Sequence, residues 1–196
     1  MKSRRYGDDA GQAFPIYITV VAGLLFLALA YLAVGQAGAT RNEAQTAADA
    51  AALAAALETR DQLTEKWLEN VLEPDTWQDI FDGEVQVFGA CERAGQLAAQ
   101  NDAQVTYCGS GGPLDYTVDV QTNDTVGDSI VPGTEDMHAQ ESATAVIEPR
   151  CELPPGDVAD EELPILSCED KDWELSPDDL TDLPGPEDLF DVHLAD

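Results

Sequence analysis

The sequence predicts an α+β protein. A single N-terminal transmembrane helix continues as a long helix, a small ectodomain combines a helix with an antiparallel sheet, and an acidic tail is disordered. Three observations lead there. Residues 10–40 carry no charge and include FPIYITVVAGLLFLALAYLAVG, Phe14–Gly35, which at about 1.5 Å per residue spans a bilayer core of about 30 Å. Residues 114–122, LDYTVDVQT, alternate apolar Leu114, Tyr116, Val118 and Val120 with polar neighbours, the period-two signature of a half-buried strand. Residues 152–196 hold sixteen Asp or Glu, one Lys and six of the eleven prolines, a composition that buries too little surface to offset chain ordering. The chain thus divides into a basic leader (1–13), the transmembrane helix (14–35), an alanine-rich and amphipathic helical stalk (36–84), the α+β ectodomain (85–150) and the tail (151–196).

Lys2, Arg4 and Arg5 precede the apolar segment and the acidic bulk follows it. By the positive-inside bias the N-terminus is cytoplasmic and the C-terminal part extracytoplasmic, in a single-pass protein of the cell membrane. Pro15 falls in the first helical turn, where proline is tolerated. Ala37-Gly38-Ala39 also has the small-x-small form of a signal-peptidase site. The alternative to an anchor is therefore a secreted acidic binding protein released by cleavage after Ala39. The apolar run exceeds the usual 7–15-residue length of a signal h-region, which favours the anchor.

Between Ile16 and Glu73 only scattered glycines interrupt helix-forming sequence, so one helix continues past residue 57, with a bend expected near Gly35–Gly38. The run QTAADAAALAAALETR at 45–60 has high helix propensity but only Leu53 and Leu57 as bulky apolar residues, too few for a deep core stripe. Ala47, Ala51 and Ala54 lie on one side and are candidates for close contact with a partner helix; a plain solvent-side stalk is the other use of the run. Leu63, Trp67 and Val71, with Leu68 and Leu72 beside them, form an amphipathic helical pattern ended by Pro74. PDTWQDIFDG reads as a short turn of helix closed by Gly83. Residues 87–102 read as a second helix with Ala90, Ala94, Leu97 and Ala98 on one face. Strands are expected at 103–108, 114–122 and 139–149, with GSGGP turning between the first two.

Cys91, Cys108, Cys151 and Cys168 all follow the anchor, where an oxidising compartment favours disulfides. Four cysteines allow three pairings. Cys91–Cys108 with Cys151–Cys168 is favoured, because each bond closes a short loop within one segment.

No catalytic, metal or cofactor site is legible. There is no Cys-x-x-Cys, and His138 and His193 lie far apart, in polar surroundings. CGSGG at 108–112 is not Gly-x-Ser-x-Gly, and no phosphate-binding glycine loop occurs. The acidic clusters, Asp160-Glu161-Glu162 and Asp178-Asp179 among them, lack calcium-loop spacing. With 39 acidic against 9 basic residues and a net charge of −30, the field has the wrong sign for nucleic acid.

The basic leader, the uncharged segment from Gly11 and TRNEAQTAADAAALAAA together resemble the N-terminal region of TadE/TadG-like Flp pilus-assembly proteins. Gln45, Ala47, Ala48, Asp49, Ala50–Ala52, Leu53 and Ala54–Ala56 stand in that family's pattern, and the likeness covers about residues 10–60. It implies a non-catalytic, membrane-anchored component of a Tad/Flp-type pilus assembly or secretion apparatus. Its partners are then the bilayer and other assembly proteins, met through the N-terminal helix. Some members resemble pseudopilins, cleaved after a glycine that would here be Gly11. Those place a glutamate a few residues into the helix, where this chain has Pro15, Ile16 and Tyr17. The metal-binding domain of larger relatives is not implied, since no Asp-x-Ser-x-Ser occurs.

Overall fold

The computed structural model describes residues 13–125, 133, 136–153 and 163–195. The leader, Gly11 and Asp160-Glu161-Glu162 lie outside them. Helix α1 runs unbroken over Ala13–Glu69, 57 residues and about 86 Å at 1.5 Å per residue. No bend is needed at Gly35–Gly38, which remain inside it. A 3₁₀ turn at Pro74–Thr76 leads into the short α2, Trp77–Phe81, and α3 spans Ala90–Gln100. Three long strands follow: β1 (Ala103–Gly109), β2 (Asp115–Thr125) and β3 (His138–Pro149). Then come β4 (Cys151–Glu152), β5 (Leu166–Cys168), β6 (Asp172–Trp173), a last turn of helix α4 (Pro186–Leu189) and β7 (Phe190–Leu194).

The main sheet is antiparallel, in the order β1-β2-β3-β7. Strand periodicity decides its faces. Val118, Val120, Ala143, Ala145 and Ile147 are buried toward α1, which packs across β2 and β3. On the other face the hydroxyls of Thr117 and Thr144 meet across the strands at 2.8 Å. A second sheet, β4-β5-β6, caps the end remote from the apolar part of α1.

The amphipathic end of α1 and the turn after it send Leu63, Trp67 and Val71 inward and leave Leu68 and Leu72 exposed. Trp67 packs on Trp77 with ring centroids 5.5 Å apart, and the Trp77 indole N–H donates to the Asn70 carbonyl at 3.0 Å. Gly83 closes the α2 turn at φ +71°, and a side chain there would run into Leu114. Gln62 then fixes the start of α3: its amide donates to the Phe88 carbonyl at 2.6 Å and accepts from the Phe88 N–H at 2.9 Å. Helix α3 thus begins level with residue 62 of α1 and runs back antiparallel to it.

The expectation of a disordered tail fails over residues 163–195. Leu166, Trp173, Leu189 and Phe190 are buried, and Phe190 stacks on Phe81 at 5.2 Å. Strand β7 adds to β3 from Ala145↔Leu194 to Pro149↔Phe190. Average composition masked the local pattern: Phe190, Val192 and Leu194 alternate with Asp191 and His193, a strand signature. The acidic residues around it stay at the surface. Arg150 gathers part of that charge, donating to Glu169 at 3.1 Å, to Asp170, and to the Glu187 carbonyl at 2.8 Å. The hydrogen bonds to Glu169, first, and to Asp170 raise the guanidinium pKa above its ordinary value.

Candidate functional site

The functional feature of this chain is a single helix with two kinds of surface. From Pro15 to Val34 its large apolar side chains face no protein: Leu24 is 63% exposed, Phe26 68% and Leu32 57%. This is the one stretch, among the described residues, long and apolar enough to cross a membrane. Its internal polar group is satisfied locally, since the Thr19 hydroxyl donates to the Pro15 carbonyl at 2.8 Å, as a hydroxyl in hydrocarbon requires. Gly35 and Gly38 meet nothing within 4 Å. Beyond them Arg41 braces the helix, its Nε lying 2.7 Å from a carboxylate oxygen of Glu141 on β3.

At Ala44 the helix enters the fold. Ala44, Ala47, Ala48, Ala51, Ala52, Ala55 and Ala56 are all fully buried, spaced i, i+3, i+4, i+7 and onward along one broad face of the helix. Of the three alanines expected to face a partner helix, Ala47 and Ala51 pack inside the chain's own core, whereas Ala54 lines the cleft between α1 and α3, and the run is not a free stalk either. The sheet covers one side, and α3 covers another with Ala90, Ala94 and Ala98. Small side chains on both helices allow their axes to come close. The run carries little bulk because it is enclosed on several sides. Helix propensity and burial agree here, whereas a count of bulky residues reads the same sequence as peripheral.

Cross-links fix this arrangement. Cys91 on α3 is bonded to Cys108 on β1, and Cys151 on β4 to Cys168 on β5. Each closes a loop of 17 residues, a length for which loop-closure entropy gives about 3 kcal/mol. The first ties α3 to the sheet edge, and the second secures the cap. Thr59, buried beside the alanines, donates to the Tyr116 hydroxyl at 2.9 Å.

The two histidines serve local structure. His138 Nδ1 lies 2.8 Å from the Thr122 carbonyl, and His193 Nδ1 lies 3.0 Å from Asp191. The structure does not bring them together. Among the described residues, no group of three His, Cys, Asp or Glu is placed to hold a metal. Asp179 accepts from the Thr181 hydroxyl and backbone N–H at 2.7 and 3.2 Å, and these bonds, the hydroxyl's first, lower its pKa.

An exposed apolar span passing without a break into an alanine-packed core is the arrangement that gives the comparison its meaning. Residues 11–58 match the family model of putative Flp pilus-assembly TadE/G-like proteins. The matched TadE/G-like segment takes in the whole apolar span and ends beside buried Thr59, so it contains both surfaces of α1. No curated protein and no solved structure matches the chain. A Tad-type segment joined to a helix able to span a membrane fits a pilus-assembly component. The α3, sheet and cap that enclose this helix lie outside the matched residues.

Proposed function

We propose that the protein is a non-catalytic, membrane-anchored component of a Tad/Flp-type pilus assembly or secretion apparatus. Its N-terminus is cytoplasmic, and its folded part lies outside and presents surfaces to other assembly proteins. The observation carrying this reading is the coincidence of the TadE/G-like match with the span from Pro15 to Val34, apolar yet unpacked against protein. Lys2, Arg4 and Arg5 support the orientation, since they stand before that span while the net negative charge follows it. Two disulfides in the folded part suit an oxidising compartment beyond the membrane.

The test is crosslinking in intact cells, followed by purification of the full chain from membranes through a C-terminal tag. Recovery with other Tad/Flp apparatus proteins, and an active phosphatase reporter fused after Pro149, are the expected results. Recovery in the soluble fraction, or an inactive phosphatase fusion with an active cytoplasmic reporter at the same point, overturns the proposal.

A further inference from the structure

Helices α1 and α3 diverge on the side away from the sheet and leave an open cleft of about 710 Å³. Its floor is apolar, with Leu53 and Leu57 from α1 and Leu97 from α3; its flanks carry Glu58 and the ion-paired Arg60 and Asp61 on one helix, and Glu92 and Arg93 on the other. Leu57 is 37% exposed, and at the mouth Phe88 is 72% exposed. We propose that this cleft docks a second copy of the chain, the two copies standing side by side in one membrane.

The charge arrangement favours a second copy. Two proteins anchored in the same membrane with the same orientation are related by an axis along the membrane normal, and the closed arrangement of two is a twofold. The cleft runs along α1, which leaves the membrane as a continuous helix, so the cleft is parallel to that axis. Face-to-face docking then sets α1 of each copy against α3 of the other. The Gln62–Phe88 hydrogen bonds fix the height of α3. Glu92, four residues on from Phe88, lies about 6 Å lower, level with Glu58, and Arg93 lies just below it. The twofold therefore brings Arg93 of one copy to Glu58 of the other, twice; Arg60 stays paired with Asp61 of its own chain at 2.7 Å. Within its own chain Arg93 donates to the Gln96 side chain at 2.9 Å, and no carboxylate among the described residues forms an ion pair with it. Of six Lys or Arg beyond residue 13 in this acidic chain, two flank the cleft. Confinement to one membrane raises effective concentration, which lets a cleft of modest size support pairing.

The inference rests on the anchored reading of α1 and not on the pilus assignment. Its test uses the full chain in membranes, with two differently tagged copies co-expressed and Gln96→p-benzoylphenylalanine as the photocrosslinking position. Wild-type flanks give a crosslink between the two tags. Arg93→Glu lowers its yield roughly tenfold, because symmetry removes two exposed pairs at once. The double variant Arg93→Glu with Glu58→Arg restores the yield. Arg93 is exposed and Glu58 half-buried, its carboxylate accepting from Gln62 at 2.9 Å; retention of both disulfides verifies the fold. An absent crosslink between tags, a crosslink to a different protein only, an unchanged yield in Arg93→Glu, or no rescue by the double variant each overturns the inference. Recovery of the chain outside the membrane fraction marks failure of the anchored reading instead.

Discussion

Replacing Ala51 with leucine separates a core role for the alanine run from a role in contacts between proteins. Ala51 is fully buried, with the sheet on one side of its helix and α3 on another. Leucine is nearly as good a helix former as alanine, so the helix itself is little affected. The three added carbon atoms have to displace packed neighbours, and overpacking of this kind costs about 1–3 kcal/mol. For a chain of this length about 2 kcal/mol corresponds to a fall in Tm of about 4–8 °C. The control is Ala39→Leu, on the same helix but exposed, where leucine displaces nothing. The assay is thermal unfolding of the full-length protein in detergent micelles, followed by near-ultraviolet circular dichroism, which reads the packed Trp67–Trp77 pair. Equal Tm values for Ala51→Leu, Ala39→Leu and wild type, with loss of crosslinked oligomers confined to Ala51→Leu, would refute the core reading and place this face against another protein.

Phe190→Ala removes the ring stacked on Phe81 and costs about 3–5 kcal/mol, as large aromatic truncations in cores do. Hydrogen exchange should then show β7 and the paired edge of β3 losing protection before β1 and β2; uniform loss across the sheet argues against β7 as a separately anchored strand. Asp179 has a lowered folded-state pKa, so its stabilising hydrogen bonds are fully present above the unfolded value of about 3.9 and are lost as pH falls through the folded one. Carboxyl NMR titration should place its midpoint below that of an ordinary aspartate, and Thr181→Val should move it upward; identical midpoints in the two proteins contradict the assignment.

Periodicity made part of this fold legible. Leu63, Trp67 and Val71 point inward as their spacing predicts, and the alternation of Tyr116, Val118 and Val120 gives the central strand its place. Alanine has no such legibility. It is an equally good helix former in solvent, against lipid or in a core, so the chain at 45–60 states its helicity and not its surroundings. The surroundings come from α3 and from strands more than forty residues away. The tail was obscured for a different reason. Its charge and prolines dominate any window average, while folding depends on a few well-placed anchors: Leu166, Trp173, Leu189 and Phe190 bury their side chains and the acidic residues between them stay wet. Pro186 opens α4 at a position where its missing N–H costs little. The cleft flanks were out of reach altogether, because Glu58 and Arg93 come to line one cleft only through the packing of α1 against α3.

Anchored as proposed, the protein uses one helix as both membrane anchor and central core element, and this has a mechanical consequence. Residues 36–69 extend about 51 Å beyond the span, and the sheet, α3 and the disulfide-closed cap are built directly on them. A tilt of about 10° in the bilayer swings the far end by about 9 Å, with no hinge between to absorb it. Transmembrane helices tilt to match their apolar length to the local bilayer thickness. Lipid composition thus works as a lever arm on this protein, aiming the cap toward or away from whatever stands beside it.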